Sequence, residues 1–438
     1  MILSPATISG TIAAIPSKSA AHRLFIAASL ADRPSRWQLS ASSIDIDTTL
    51  ACMQALGAEI VRESESVSIT PITEAWRAAT IDCQESGSTL RFLLPVSAAL
   101  GTSADFIGRG RLPERPIAEI LRVLEQLGAT TTNDHLPLTI SGPLHGGAVE
   151  LPGHISSQYL TGLLLAAPLL DEDLDITLST PLQSRPYIDL TLDILRRFGV
   201  EVREDGSHFH VAADARYVLP EGETAIEGDW SNAAFFLAAG ALSAPVTMTG
   251  LDLHSSQGDK AIVDLLRGFG ATVDCHEDGA ITVSPAPLSA QTISVKEIPD
   301  ALPILAVIAA QAKGTTVFTD IERLRLKESD RIATTTALLE AMGVHCESDA
   351  HEMRVTGVTQ LHGGCTVSSA GDHRIAMAAA IAALNCDAPV TLTGAEAVRK
   401  SYPHFFPRLF IPGRCLRWHL VLAAIIGCQR FYGESHGE

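Results

Sequence analysis

"AGDHRIAMAAAIAAL", residues 370–384, opens with Asp372, His373 and Arg374 side by side and then runs almost purely apolar. A helix that is apolar all round has no face for water and belongs inside a core. Its charged start must therefore emerge where that core opens. Five other stretches share this form: "SKSAAHRLFIAASL" from Ser17, "SGSTLRFLLPVSAAL" from Ser86, "SSQYLTGLLLAAPLL" from Ser156, "DWSNAAFFLAAGAL" from Asp229 and "PDALPILAVIAAQA" from Pro299. The six starts recur about every 70 residues, the mark of an internal structural repeat.

A second helix type interleaves with the first. "ACMQALGAEI", "RVLEQLGATT", "DILRRFGVEV", "DLLRGFGATV" and "ALLEAMGVHC" each end in an apolar residue, a Gly and a short strand. Gly57, Gly128, Gly199, Gly270 and Gly343 stand where a left-handed C-cap is expected. Short alternating segments such as "VSITPI", "LPLTISG", "HFHVAA", "AITVSP" and "MRVTGV" read as half-buried strands. The unit is two helices with three or four strands, and six units divide into two domains of three. The expected fold is α/β (α+β), two similar domains of βαβαββ-like repeats whose buried parallel helices point at an interdomain cleft. Joints near "IPSK" and "TAIEGDW" place 1–16 with 227–410 in a first, discontinuous domain and 17–226 in a second.

If the helices of a domain run the same way, their amino termini open on one face with unpaired N–H groups and partial positive charge. Two such faces opposed make an anion-binding cleft. Ser and Asp at helix starts serve as N-caps in any protein. N-caps need no arginine, however, and Arg23, Arg91 and Arg374 stand within the first turns of three of these helices.

Composition narrows the function. Lys and Arg number 32 against 50 Asp and Glu, a formal net charge of -18, which disfavours nucleic acid and acidic membrane surfaces. An anionic ligand must meet local positive charge. The eight cysteines are scattered without a C-x-x-C pair, which points to a reducing compartment and no structural zinc. No segment has the form of a signal peptide or the apolar length of a membrane span. A cytoplasmic protein is expected.

In order along the chain stand "PSKSAAHR", "ESGSTLRF", "GRGRLPERPI", "SSQYLTGLL", "SRPYIDLT", "IPDALP", "RLRLKESDR", "GDHRIAMA" and "RKSYPHFF". Over about residues 1 to 406 the sequence resembles the 3-phosphoshikimate 1-carboxyvinyltransferase (5-enolpyruvylshikimate-3-phosphate synthase) family. The resemblance implies transfer of the enolpyruvyl group of phosphoenolpyruvate to the 5-hydroxyl of shikimate 3-phosphate, with release of phosphate through a tetrahedral intermediate. It implies no metal or organic cofactor, two small-molecule substrates as the partners, and a monomer.

It also implies roles. Lys18, Ser19, Arg23, Ser156, Ser157, Gln158, Ser184, Tyr187, Asp300 and Lys327 match positions that hold shikimate 3-phosphate. Lys18, Gly87, Arg111, Gln158, Arg331, Arg374 and Lys400 match those for phosphoenolpyruvate. Asp300 is expected to take the hydroxyl proton and Glu328 to protonate the methylene carbon. Lys18, Lys327 and His373 complete the catalytic group. Residues of these types suit the chemistry, because guanidinium forks grip phosphate and carboxylate while paired acids move protons.

Three features depart from the family pattern. Glu85 and Arg323 occupy positions where many members carry Asn. After Phe410 the match stops, and residues 411–438 read either as an added strand or helix on the first domain or as an irregular end, with no function assigned. A rival family, UDP-N-acetylglucosamine 1-carboxyvinyltransferase, usually carries a reactive Cys in the loop corresponding to "GRGRLPERP", which has none here. A catalytically inactive anion-binding homologue is the other alternative, although it would need neither Asp300 nor Glu328.

Overall fold

The computed structural model describes residues 1–222, 225–410 and 416–419. The six repeated stretches form helices α1 (Lys18–Ser29), α2 (Gly87–Ala99), α3 (Ser157–Ala166), α4 (Trp230–Leu242), α5 (Leu302–Ala309) and α6 (His373–Leu384). Every residue of α6 is buried. Alanine favours the helix and leaves room for close neighbours, and α6 packs against α4 and α5. In the other domain α2 and α3 approach backbone to backbone. A Cβ at Gly162 of α3 would lie 2.4 Å from the carbonyl oxygen of Arg91, so only glycine fits.

Parallel strand pairs wrap four of these helices as βαβ units. Ala78–Asp82 pairs with Ser103–Ile107 around α2, and Gly147–Pro152 with Leu174–Thr180 around α3. Thr292–Ser294 pairs with Thr315–Thr319 around α5, and Thr366–Ser368 with Val390–Thr393 around α6. Crossovers of this kind pack the helix against the sheet. The strand before α4 comes from elsewhere: Thr7–Ala13 pairs in parallel with Val246–Thr249, Gly10 opposite Val246. The chain then crosses over beside the antiparallel bridge between Pro16 and Gly228.

Two hydrophobic cores result. One gathers Leu3 to Ile15 with Trp230 to Leu409, and the other runs from Ala20 to Tyr217. The recurring glycines act as expected. Gly270 closes the helix Ile262–Phe269 at φ 109°, its N–H returning to the carbonyls of Leu266 and Arg267. Of the carboxy-terminal segment, Leu416–His419 adds an antiparallel edge strand opposite Thr7–Gly10; residues 411–415 and 420–438 lie outside the described residues. Among the described residues no helix is long and apolar enough to cross a membrane.

Candidate active site

Five of the six buried helices begin at a side-chain cap: Ser17, Ser86, Ser156, Asp229 and Asp372 each accept a hydrogen bond from an N–H of the first turn. The capping role is therefore real. It coexists with a second role, because the starts of all six helices converge on one cavity. Lys18 and Ser19 (α1), Gly87 and Ser88 (α2), Ser156 to Gln158 (α3), Asp229 and Ser231 (α4), Asp300 (before α5) and Arg374 (α6) all line it. Asp300 is not a cap: α5 starts at Ala301 without a side-chain bond, which leaves the Asp300 carboxylate free to face the cavity.

Asp300 stands at the centre. Its Oδ1 accepts from Arg331 Nη1 at 2.6 Å and Lys327 Nζ at 3.4 Å, and its Oδ2 from Arg374 Nη2 at 3.1 Å and the Tyr187 hydroxyl at 3.2 Å. Burial alone would push its pKa up, but Lys327, Arg374 and Arg331 outweigh it and hold the carboxyl well below the usual range. Glu328 accepts from Arg331 Nη2 at 2.8 Å. Against the upward push of burial, Arg331 and Arg115 keep it ionised too. Arg331 completes its fork on Asp372 Oδ2 at 2.9 Å, so one buried guanidinium links three carboxylates. Burial draws Lys327 down to about 8, even with Asp300 beside it.

The serine face holds more cations. Among the described residues Arg23 meets only neutral acceptors, chiefly the Thr191 hydroxyl at 2.8 Å and the Ser19 and Tyr187 carbonyls at 2.7 and 3.0 Å, and burial lowers it to about 10. Gln158 donates to Ser88 Oγ at 2.9 Å and accepts from Arg91 at 3.1 Å. Lys18 pairs with Asp45 at 2.8 Å, while its backbone N–H reaches Asp229 in the other domain. His373 is buried, and among the described residues neither ring nitrogen has a hydrogen-bond partner. Burial, Lys18 and Arg374 lower its pKa well below the usual value, so the ring is neutral.

Most of the expected residues are thus brought together, including Lys18, Ser19, Arg23, Gly87, Ser156, Ser157, Gln158, Ser184, Tyr187, Asp300, Lys327, Glu328 and Arg374 in the lining itself. Arg331 and His373 form the buried layer beneath, and Lys400 reaches the Gly371 carbonyl at 2.7 Å, at the start of α6. Arg111 is the exception. It is half exposed, lies 3.6 Å from Glu114 three residues on, and does not line the cavity. Arg115 does, and its guanidinium crowds Gly87 together with that of Arg91. Two local signals point to Arg115: the R-x-x-E spacing satisfies Arg111 on its own turn, and a residue before proline is held extended, as Arg115 is at ψ 135°. Arg323 also proves to be a cleft residue, donating across it to Gln183 Oε1 at 3.1 Å and Ser184 Oγ at 3.2 Å.

Comparison with known proteins gives this geometry its context. The family model for EPSP synthase (3-phosphoshikimate 1-carboxyvinyltransferase) matches residues 2–409. The chain is 38% identical over 414 residues to the 3-phosphoshikimate 1-carboxyvinyltransferase of Clostridium novyi (strain NT), covering 92% of this chain and 94% of that protein. It is also 38% identical over 415 residues to the enzyme of the same name from Halobacterium salinarum (strain ATCC 29341 / DSM 671 / R1), covering 92% and 96%. Among solved structures, EPSP synthase from Acinetobacter baumannii superposes with a TM-score of 0.78 at 25% identity, over 96% of this chain and 99% of that one. The enolpyruvyl transferase NikO from Streptomyces tendae, at 18% identity and a TM-score of 0.75 over 95% and 98%, shares the fold. With the family model matched from residue 2 to residue 409 and relatives 38% identical over nearly the whole chain, the chain belongs to the EPSP synthase family.

Proposed function

We propose that this protein transfers the enolpyruvyl group of phosphoenolpyruvate to the 5-hydroxyl of shikimate 3-phosphate and releases inorganic phosphate. The observation that carries the reading is the convergence of six helix starts on one cavity, with Asp300 and Glu328 among cations in excess of their carboxylates. Shikimate 3-phosphate lies on the serine face, where Ser156, Ser157 and Ser184 present hydroxyls and Arg23 and Arg323 are cations with neutral partners. Such guanidiniums, removed from water without a carboxylate, favour an anion. Phosphoenolpyruvate lies between Gly87, Arg115, Arg374, Lys18 and Lys400.

The acids act in sequence. Asp300 takes the proton of the attacking hydroxyl while its oxygen bonds to C2 of phosphoenolpyruvate, and Glu328 delivers a proton to the methylene carbon. The tetrahedral adduct then expels phosphate as a proton leaves the new methyl group, restoring the double bond. In the ligand-free site both acids are held ionised by the surrounding cations, so Glu328 must take up a proton from solvent before it donates one. Anionic substrates that occupy those cations raise both carboxyls toward the range where proton transfer is efficient. In 31P NMR, incubation with both substrates is expected to yield inorganic phosphate and one new phosphate monoester; persistence of the two starting signals would contradict the reading.

Gly87→Ala is expected to raise the KM for phosphoenolpyruvate by about tenfold to a hundredfold, the scale of a displacement near 1 Å. The added Cβ would lie 2.4 Å from Arg115 Nη1 and 2.7 Å from Arg91 Nη1. Those are flexible side-chain ends, so they move rather than the helix, and the melting temperature should hold. Steady-state kinetics beside a thermal melt checks both; an unchanged KM would place the donor elsewhere.

The Lys327 ammonium is present below about pH 8 and lost above it. Affinity for the phosphorylated acceptor should accordingly fall as pH rises through that value. Lys327→Arg, charged throughout, is expected to remove this inflection from the KM profile. A KM that stays flat from about pH 7 to 9 in the parent protein would deny Lys327 a part in acceptor binding.

A further inference from the structure

The ion pairs around Asp300, Asp372 and Lys18 each join residues of one domain. Glu85 and Lys400 join the two. Lys400 Nζ lies 2.6 Å from Glu85 Oε2 and 2.7 Å from the Gly371 carbonyl, with its side chain 13% exposed. Glu85 immediately precedes Ser86, the cap of α2, while Lys400 ends the turn Ala395–Lys400 and Gly371 precedes Asp372, the cap of α6. The pair therefore ties one helix start of the continuous domain to one of the discontinuous domain.

Both ends are rigidly held. Gln84 has φ 50°, a conformation rare for a residue with a side chain. The Asp82 carboxylate fixes this turn by accepting from the Gln84 N–H at 3.0 Å, the Gln84 side chain at 2.7 Å and Arg109 at 3.0 Å. The Glu85 carboxylate lies on Gly110, where a Cβ would come within 2.5 Å of Oε2. On the other side, Tyr402 and Phe405 anchor the chain after Lys400 in an aromatic cluster with Phe236. A lysine ammonium has three N–H donors. Glu85 and Gly371 engage two, so a third remains for a ligand anion, and bridging does not exclude ligand binding.

We propose that Glu85 is a positioning residue: a latch between the domains that holds Lys400 over the start of α6, ready for the donor anion. The assignment of Lys400 to phosphoenolpyruvate rests on the function proposed above; the latch itself does not. Without it, a smaller fraction of molecules has the cleft closed and Lys400 placed, and apparent affinity falls by that fraction.

Glu85→Gln keeps the size and removes the charge. In the full-length protein it is expected to raise the KM for phosphoenolpyruvate roughly threefold to fivefold, the fold-change of a partly exposed ion pair. The KM for shikimate 3-phosphate, which does not meet Lys400, should rise less than that for phosphoenolpyruvate, and kcat should stay within about twofold of the parent. Small-angle scattering of the ligand-free protein should show a larger radius of gyration for the variant. A lower KM for phosphoenolpyruvate would make Glu85 a competitor of the donor and overturn the latch, as would an unchanged KM with unchanged scattering. If the parent protein shows no turnover with these substrates, the functional reading fails, and scattering alone decides the latch: an expanded variant supports it and an identical one overturns it.

Discussion

Asp300→Asn is expected to lower kcat by about 10² to 10⁴-fold, the usual contribution of a positioned general base, without raising the KM of either substrate. The second half of this expectation follows from the charges. Asp300 is the shared partner of Arg331, Lys327 and Arg374, and neutralising it leaves the cavity more positive, which favours anions. The same change removes one member of a buried ionic cluster, at a cost of about 3 to 5 kcal/mol when a charge is left unpaired. Arg331 keeps Glu328 and Asp372, but Lys327 and Arg374 lose the carboxylate they pair with, so the loss should lie within that range. The ligand-free variant should melt below the parent, and added inorganic phosphate should restore part of the difference by occupying the released cations. A variant with full kcat would remove Asp300 from the chemistry. One with a sharply raised KM for both substrates would make it a binding residue instead.

Glu328→Gln should show the other acid at work. The amide preserves length, and Arg331 keeps Asp300 and Asp372, so the fold and both KM values should change little. Proton delivery to carbon is the step lost, and kcat should fall by about 10² to 10³-fold. Proton exchange separates the two acids further. In deuterated water the parent protein should place solvent deuterium in the methylene group of recovered phosphoenolpyruvate, because a proton added to that carbon is later withdrawn. Glu328→Gln should lose this incorporation. Incorporation at the parent rate would assign the carbon proton to another group, with Lys18 and His373 next in position.

The helix starts were legible because they repeat. One stretch such as Asp372–Leu384 reads as a capped core helix, but six at one spacing, three with arginines, define two faces that must meet. Strand exchange was legible more dimly: the joint lies at the bridge between Pro16 and Gly228, and only an expected symmetry between repeats draws residues 7–13 to the later half. Arg111 was misplaced because two arginines four residues apart share a motif, and the choice turns on whether Glu114 or Pro116 governs the local backbone. Pairs made across the cleft were not legible at all. Glu85 and Lys400 are 315 residues apart, and no local pattern records a contact that depends on how two finished domains face each other. Leu416–His419 has the same difficulty, since its strand partner lies at the opposite end of the chain.

Whether this cleft joins phosphoenolpyruvate to a phosphorylated shikimate through Asp300 and Glu328 can be read from the rate of phosphate release by the purified protein. Phosphoenolpyruvate is supplied with shikimate 3-phosphate in one assay and with UDP-N-acetylglucosamine in another. Release is expected with shikimate 3-phosphate alone, and Asp300→Asn should slow it by about 10² to 10⁴-fold. Release with UDP-N-acetylglucosamine alone, or with neither acceptor, would overturn the proposed reaction.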